Sequence, residues 1–310
     1  MRRLAVIEVE GLVKRFGRVT ALRGVSFEVR AGSAMGLLGP NGAGKTTTLK
    51  VLVGLLRPTS GSVRVLGLDP WRRGGEVRSR VGVLHERPSY PGRVTALRLL
   101  EYAARVRGLG PGDVRRAVRL TGLAPVADRR VSALSRGYLQ RLGLALAVMG
   151  DPEVLLLDEP TANLDPAARS EVLSLISTLK RELDVTLVVS SHIIPELEEV
   201  CDSAAFISGG RILDYGALEE LARRHASEAR LVVEADRPRE VASTLIGVEL
   251  VRAVEVDGRE VRVRVAPGGA EAVEALLSGL PGVRSVRHAG AGLMDLYGRV
   301  VAGEDPGEDF

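Results

Sequence analysis

The sequence is poor in the residues that mark several large classes of protein. Cys201 is its only cysteine, so no disulfide can form within the chain, and we expect this residue to be a small buried filler. Aromatic residues make up 3% of the 310, too few for platforms that stack nucleic-acid bases. The longest apolar runs, such as LGLALAVM (142–149), are far shorter than the roughly 20 residues that cross a bilayer.

The first residues, MRRLAVIEVEG, alternate apolar and acidic side chains too early to form the apolar core of a secretory signal. We therefore expect a cytoplasmic protein.

Lysines are also scarce, and the net charge of +4 comes almost wholly from arginine. Because no basic run is interleaved with aromatic residues, we expect no nucleic-acid partner. Hydrophobic residues at 45% and charged residues at 26% are typical of a globular chain with about two domains.

Hydrophobic periodicity divides the chain into an α/β part and a smaller α+β part. LAVIEVEG (4–11) and VSFEVRAG (25–32) alternate like strands, and AMGLLG (34–39) is a short strand before the helix-like KTTTLKVLVGLL (45–56). Residues of about 90–150 have helical spacing and form a helical subdomain. VLLLD (154–158) and TLVVSS (186–191) are typical of central parallel strands, and PAARSEVLSLISTLKREL (166–183) of the helix between them.

The last 80 residues or so have a different pattern. After a linker helix at 217–226, four strand-like segments and two helix-like segments follow in a βαββαβ order, provided that 237–247 is helical. We predict a first domain over 1–220, a C-terminal α+β domain over 221–302, and a loose acidic tail over 303–310.

One glycine-rich stretch predicts a phosphate-binding loop. GPNGAGKT (39–46) satisfies the pattern GxxxxGK[ST] between a strand and a helix. Its glycines let backbone amides turn toward phosphate oxygens, and the helix N-terminus adds its positive end. Lys45 would reach the β- and γ-phosphates, and the Thr46 hydroxyl would bind Mg²⁺. The residues predicted here to bind nucleotide are Gly39, Pro40, Asn41, Gly42, Ala43, Gly44, Lys45, Thr46 and Thr47.

A second strand supplies two adjacent carboxylates. VLLLDEP (154–160) places Asp158 at the carboxyl end of a strand, where the ligands of open α/β sheets collect, and we expect it to hold the metal. Glu159 follows it, displaced toward the γ-phosphate, where its carboxylate could polarise an attacking water. In isolation, an Asp-Glu pair at the end of a strand is more often a solvated strand end than a catalytic pair. In a chain that also has a phosphate loop, it is the expected partner of that loop.

With these residues in place, residues 4–220 resemble the ATP-binding subunit of an ATP-binding cassette (ABC) transporter. The resemblance rests on five motifs in the family's order. The first is the phosphate loop, and the second is VLLLDEP, which is similar to the Walker B strand. The third is similar to the family's signature LSGGQ and consists of Leu134, Ser135, Arg136, Gly137 and Tyr138. The last two are similar to the D-loop, with Asn163, Leu164 and Asp165, and to the switch histidine, with SSH ending at His192. It implies a P-loop NTPase (RecA-like) core with an antiparallel β subdomain and a helical subdomain.

The resemblance also implies how the site is assembled. In the family, two cassettes enclose two ATP molecules head to tail, so Ser135 and the amide of Gly137 would bind the γ-phosphate of ATP held by the other chain. His192 would contact the γ-phosphate and the attacking water of its own site. Phe16 matches the aromatic residue that stacks on adenine, although it could instead be a core phenylalanine. Asp165 would bridge the interface, and it is also a suitable helix N-cap.

Two motifs depart from the family pattern. Where the family has a glutamine, VGVLHERP places Glu86, which could still bind Mg²⁺ or water, and a shift of one residue would place His85 there instead. Arg136 replaces a glycine of the signature, and Tyr138 replaces its glutamine. A cation in the first turn opposes the helix dipole, but it would be attractive if it faced a triphosphate across the interface.

The resemblance implies an ATPase subunit, using ATP and Mg²⁺, that powers a separate integral membrane permease from the inner face of the cell membrane. A single cassette with a small α+β domain is most similar to the drug-resistance and export group. It would act as a homodimer or with a second cassette. The alternatives are a soluble ABC ATPase acting on ribosomes or nucleic acid, and the ATPase of an importer.

Overall fold

The structure, a computed structural model, describes residues 5–225, 229–266 and 268–289, which fall into two compact units, Met1–Gly216 and Ala217–Phe310. The predicted acidic tail and the residues before it from 290 lie outside this description. The strands are β1 (Ala5–Phe16), β2 (Val19–Arg30), β3 (Ala34–Leu38), β4 (Ser60–Val65), β5 (Val81–Leu84), β6 (Val154–Asp158), β7 (Thr186–Ser191), β8 (Ser203–Ser208), β9 (Arg211–Ala217), β10 (Ala229–Ala235), β11 (Val251–Asp257), β12 (Glu260–Val265) and β13 (Val283–Ala289). The α-helices are α1 (Lys45–Leu52), α2 (Gly74–Arg80), α3 (Ala96–Val106), α4 (Pro111–Leu120), α5 (Arg136–Val148), α6 (Pro166–Leu183), α7 (Ile194–Val200), α8 (Leu218–His225), α9 (Pro238–Ile246) and α10 (Ala270–Ser278).

A six-stranded sheet in the order β5-β6-β7-β3-β8-β9 forms the centre of the first unit. The pairs β5–β6, β6–β7, β7–β3 and β3–β8 are all parallel. Every residue of β6 and β7 is buried, which confirms the prediction that VLLLD and TLVVSS are central strands. Because these strands are parallel, the segments that follow β3, β5, β6 and β7 all begin at one edge of the sheet.

A second, antiparallel sheet in the order β2-β1-β4 packs over the phosphate-loop helix. Its inward side chains, among them Ile7 and Leu22, share one apolar core with Leu49 and Leu52 of α1. The sequence patterns predict β1 and β2 but miss β4, because SGSVRV has only two buried side chains, Val63 and Val65.

Helix α1 is shorter than the sequence predicts. The pattern predicts a helix to residue 56, but α1 ends at Leu52, so that prediction is wrong at its C-terminal end. Gly54 has a φ of +70°, and a Cβ atom there would lie 1.9 Å from the carbonyl oxygen of Pro70. The chain therefore turns at Gly54, where a backbone contact leaves no room for a side chain.

The helical segment predicted for residues 90–150 contains α3, α4 and α5. Helix α5 is the buried one, and it packs directly against β5. At Gly82 of β5, an added Cβ atom would lie 2.1 Å from the carbonyl oxygen of Ala147. The absence of a side chain at Gly82 is therefore what allows helix and strand to approach this closely.

Cys201 ends α7 and is buried, as the sequence predicts. Burial, with the Asp202 carboxylate as a smaller cause, raises the pKa of the Cys201 thiol to about 12. A buried thiol with a raised pKa is poorly reactive, which agrees with the prediction that Cys201 is a small buried filler.

The second unit has the element order βαββαβ from β10 to β13, as its sequence patterns predict. Its strands pair antiparallel in the order β11-β12-β10-β13. Leu231 and Val263 of the sheet pack against Leu245 of α9 and Leu277 of α10 in a separate core. Throughout the described ranges of both units, no helix is both long and apolar enough to pass through a bilayer.

The contact at Gly82 predicts a stability effect. We expect Gly82→Ala to lower the free energy of unfolding by about 1–3 kcal/mol, because the new methyl group would overlap the backbone of α5. Urea unfolding followed by tryptophan fluorescence measures this, since the single tryptophan, Trp71, lies in the first unit.

The matched control is Gly75→Ala in α2, where an added Cβ has no atom within 4 Å. Alanine there should be neutral or slightly stabilising, because it is the better helix former. Equal urea midpoints for Gly82→Ala and the unchanged chain would show that β5 and α5 can separate without cost.

Candidate active site

Three neighbouring strands deliver the predicted chemical groups to one edge of the parallel sheet. The phosphate loop follows β3, Glu159 follows β6, and His192 follows β7. These segments line a cavity of about 580 Å³. Its lining includes every phosphate-loop residue from Pro40 to Thr47. The structure therefore brings together residues that are more than a hundred positions apart in the sequence.

The phosphate loop depends on glycines at positions where a side chain does not fit. Gly42 and Gly44 have φ angles of +82° and +113°, in the left-handed region that favours glycine. A Cβ atom at Gly44 would lie 2.7 Å from Leu22 Cδ2, and one at Gly39 would lie 2.1 Å from the carbonyl oxygen of Ile207. The loop is thus enclosed by β2 on one side and β8 on the other, and α1 begins directly after it at Lys45.

Lys45 links the loop to the carboxylate of the neighbouring strand. Its Nζ donates to the carbonyl oxygens of Gly39 at 2.6 Å and Pro40 at 3.2 Å. The same Nζ lies 3.1 Å from Glu159 Oε1, and both side chains are buried. That contact is ionic but does not have hydrogen-bond geometry, so Oε1 has no hydrogen-bond partner in the structure. A buried charge is costly unless it is paired, so this ion pair is what makes Glu159 tolerable there.

His192 completes the arrangement. Its Nδ1 lies 2.9 Å from the second oxygen of Glu159, Oε2. Because an ionised carboxylate can only accept a hydrogen bond, Nδ1 is the donor and Nε2 faces away from it. Glu159 itself has a φ of +47°, a conformation that non-glycine residues seldom adopt and that is often found at functional sites.

The oxygen atoms beside the loop suit a magnesium ion. Asp158 is the last residue of β6, and its Oδ1 accepts a hydrogen bond of 2.6 Å from Ser190 Oγ. The Thr46 hydroxyl and the Glu86 carboxylate belong to residues of the cavity lining. No group of three or more His, Cys, Asp or Glu side chains that could hold a metal occurs among the described residues. Thr46 and Glu86 offer oxygen atoms of the kind that bind Mg²⁺, which keeps several waters and binds through one or two carboxylates and substrate phosphates, whereas Asp158 is not part of the cavity lining.

Of the two alternatives at the end of β5, Glu86 lines the cavity and His85 does not. The Glu86 carboxylate also lies 3.2 Å from Nε of its neighbour Arg87, which lines the cavity as well. The charge that Glu86 brings to the phosphate site is therefore offset in part by an adjacent guanidinium.

Phe16 lies outside the cavity lining, at the end of β1. Its side chain is 47% exposed, so it is not the core phenylalanine that the sequence left as an alternative. The Lys14 ammonium lies 4.8 Å from the centre of its ring, within the range of a cation–π contact. Phe16 is therefore an exposed aromatic residue beside Lys14 rather than part of the enclosed site.

The signature residues also lie outside the cavity of their own chain. Ser135 is the N-cap of α5, and its hydroxyl accepts from the amide of Tyr138 at 3.4 Å. Arg136 points toward the D-loop, where its Nη1 donates to the carbonyl oxygen of Asn163 at 3.0 Å. Asp165 caps α6 by accepting from the amide of Ala168 at 2.9 Å, as the sequence predicts, while Leu164 is buried.

Sequence reasoning missed several residues of the site. Ser190 is fully buried, and its hydroxyl both donates to Asp158 and accepts from the amide of Glu159 at 2.9 Å. Thr161 and Arg169 also line the cavity. The only sequence signal for Ser190 was a pair of serines at the end of an apolar strand. That signal was not enough, because the role of Ser190 is apparent only when β6 and β7 are known to be neighbours.

Comparison with known proteins agrees with this geometry. The family model described as "ABC transporter" matches residues 22–162. The bacitracin transport ATP-binding protein BcrA of Enterococcus faecalis is 36% identical over 221 residues, which cover 71% of this chain and 72% of BcrA. The Nod factor export ATP-binding protein I of Ralstonia nicotianae is 37% identical over 222 residues, 70% of this chain and 68% of that protein.

A solved structure of the ATP-binding subunit of an ABC transporter superposes with a TM-score of 0.63 at 27% identity, covering 71% of this chain and 92% of that one. The covered share corresponds in size to the first unit, which contains the phosphate loop, the paired carboxylate and the histidine. The chain therefore belongs to the ABC transporter family of ATP-binding proteins, which hydrolyse ATP.

Proposed function

We propose that this chain hydrolyses ATP in the cavity at the phosphate loop and thereby drives a separate membrane permease that exports its substrate. The observation that carries the proposal is the contact chain Lys45–Glu159–His192, with distances of 3.1 and 2.9 Å, directly beside the phosphate loop. A cation that can bind the phosphates, a carboxylate that can accept a proton from water and an imidazole that can donate a hydrogen bond are groups suited to the hydrolysis of a phosphoanhydride.

Each group has a distinct role in this proposal. The amides of the phosphate loop and the Lys45 ammonium hold the β- and γ-phosphates, and Glu159 accepts a proton from the water that attacks the γ-phosphorus. His192, hydrogen-bonded to Glu159, orients the γ-phosphate and that water. Thr46 and Asp158, with Glu86 nearby, would hold Mg²⁺, which neutralises charge on the phosphate oxygens when it is bound. Phe16 remains our candidate for stacking on adenine from outside the enclosed cavity.

We also propose that the working unit is a pair of cassettes, either two copies of this chain or this chain with a second cassette. The signature does not line the cavity of its own chain, yet Ser135 begins α5 with exposed polar groups. A helix N-terminus is a favourable place for an anion. In a head-to-tail pair, Ser135 and the Gly137 amide would bind the γ-phosphate on the partner, with Asp165 at the interface.

The direction of transport is inferred from the relatives. BcrA is named for bacitracin transport and the Ralstonia protein for Nod factor export, which supports an exporter and a position on the inner face of the membrane. Co-purification with a polytopic membrane protein would support this assignment. Recovery of the chain on ribosomes, or with a permease that takes up its substrate, would favour the alternatives.

Removal of the phosphate-loop cation should strongly weaken nucleotide binding. We expect Lys45→Ala to raise the Kd for MgATP by about 10- to 100-fold or more, because charge-assisted hydrogen bonds to the phosphates are lost. Isothermal titration calorimetry measures the affinity. Lys50→Ala, on an exposed position of the same helix, is the matched control and should bind normally. Unchanged affinity in Lys45→Ala would refute the phosphate-loop assignment.

Removal of the carboxylate base should separate binding from hydrolysis. We expect Glu159→Gln to lower kcat by about 10²- to 10⁴-fold, because an amide cannot accept the proton. The variant should still bind ATP and form an ATP-dependent dimer that persists, which size-exclusion chromatography detects. Glu182→Gln, on the exposed face of α6, should hydrolyse ATP normally. Near-normal turnover in Glu159→Gln would contradict its assignment as the base.

Arg136 should strengthen the dimer electrostatically. We expect Arg136→Gln to weaken ATP-driven dimerisation by about tenfold at low salt and by less at high salt, because a cation near a triphosphate is screened by ions. Analytical ultracentrifugation at several salt concentrations measures this, with Arg181→Gln at the far end of α6 as control. An identical dimerisation constant at every salt concentration would mean that Arg136 serves only its contact with Asn163.

A further inference from the structure

A buried carboxylate on α7, Glu196, lies outside the groups assigned to hydrolysis. Its side chain is 4% exposed. Glu196 Oε2 accepts a hydrogen bond of 2.7 Å from Ser191 Oγ. The same hydroxyl accepts from the amide of Ile193 at 3.0 Å. Ser191 and Ile193 are the immediate neighbours of His192, so this network holds the backbone on both sides of the histidine.

The other oxygen of Glu196 faces the helix that begins at the D-loop. Oε1 lies 3.3 Å from Nε of Arg169, in an ionic contact without hydrogen-bond geometry. Arg169 lies in α6, its amide donates to the carbonyl oxygen of Asp165 at 2.9 Å, and its side chain lines the nucleotide cavity. Glu196 is therefore in contact with both the loop that carries His192 and the first turn of α6.

We propose that Glu196 is a positioning residue for His192, and that through Arg169 it links the start of α6 to the placement of the histidine. The inference rests on the proposed role of His192. A rotation of Ser191 would move His192 relative to Glu159, and the hydrogen bond from Ser191 to Glu196 opposes that rotation. Because the Arg169 side chain of this ion pair is 36% exposed, the pair adds little net stability, and we attribute its effect to geometry rather than to the strength of the fold.

The first test compares three variants of the full chain in steady-state ATP hydrolysis. Glu196→Ala should lower kcat by about 10- to 100-fold with an unchanged KM for ATP, since small displacements near the reacting atoms reduce rate without affecting the phosphate loop. Glu196→Gln should retain more activity, because its amide oxygen can still accept from Ser191. Glu199→Ala, on an exposed position of the same helix, is the control and should be unaffected.

The second test is a double-mutant cycle with His192. If Glu196 acts through the histidine, Glu196→Ala should have no further effect on kcat in a His192→Ala background. Losses that multiply, or a loss of kcat equal to that of Glu199→Ala, would overturn the proposal. If Glu196→Ala does not fold by circular dichroism, the cycle is made with Ser191→Ala, which removes the same hydrogen bond from the other side.

The two levels of inference can fail separately. If His192→Ala leaves kcat unchanged, the proposed role of the histidine is wrong and the positioning role of Glu196 falls with it. If His192→Ala lowers kcat but Glu196→Ala does not, only the positioning role is wrong. If Arg169→Ala lowers kcat in the unchanged chain but has no further effect in a Glu196→Ala background, the link to α6 is supported.

Discussion

The site depends on one buried carboxylate, Glu159. Its two oxygens contact Lys45 at 3.1 Å and His192 at 2.9 Å. Residues that follow three different strands of the sheet are therefore in contact through this one side chain. The interaction is possible only because β6 lies beside β7, and β7 beside β3, with all three running in the same direction. An ionised group buried to this extent requires a partner, and the sheet order brings Lys45 to it.

Close backbone packing provides the rigidity that such a site needs. The phosphate loop is enclosed by β2 and β8 because Gly44 and Gly39 have no side chains, and α5 approaches β5 because Gly82 has none. The phosphate loop, through β8, and the signature helix, through β5, are thus both attached to the six-stranded sheet by contacts at the backbone. Groups held on strands and helices in this way keep their positions better than groups on free loops.

Side chains at the ends of strands and helices also connect the motifs to one another. Ser190 of β7 joins the Asp158 carboxylate to the backbone amide of Glu159, and Ser191 joins the backbone beside His192 to Glu196 on α7. Arg136 connects the signature to the D-loop through the carbonyl of Asn163. Side-chain bonds of this kind connect motifs that are distant in sequence, so a displacement at one of them can reach the next.

The sequence by itself determined the local elements and the chemistry of the motifs. The glycine spacing of the phosphate loop, the apolar runs of β6 and β7 and the helix caps Ser135 and Asp165 follow from backbone rules that act within a few residues. The tertiary structure alone decided what depends on strand order: that Glu86 rather than His85 lines the cavity, that Phe16 lies outside it, and that Ser190, Arg169 and Glu196 belong to the network. These contacts join residues on different strands and helices. They could not be predicted from the sequence, because short-range periodicity does not indicate which elements become neighbours.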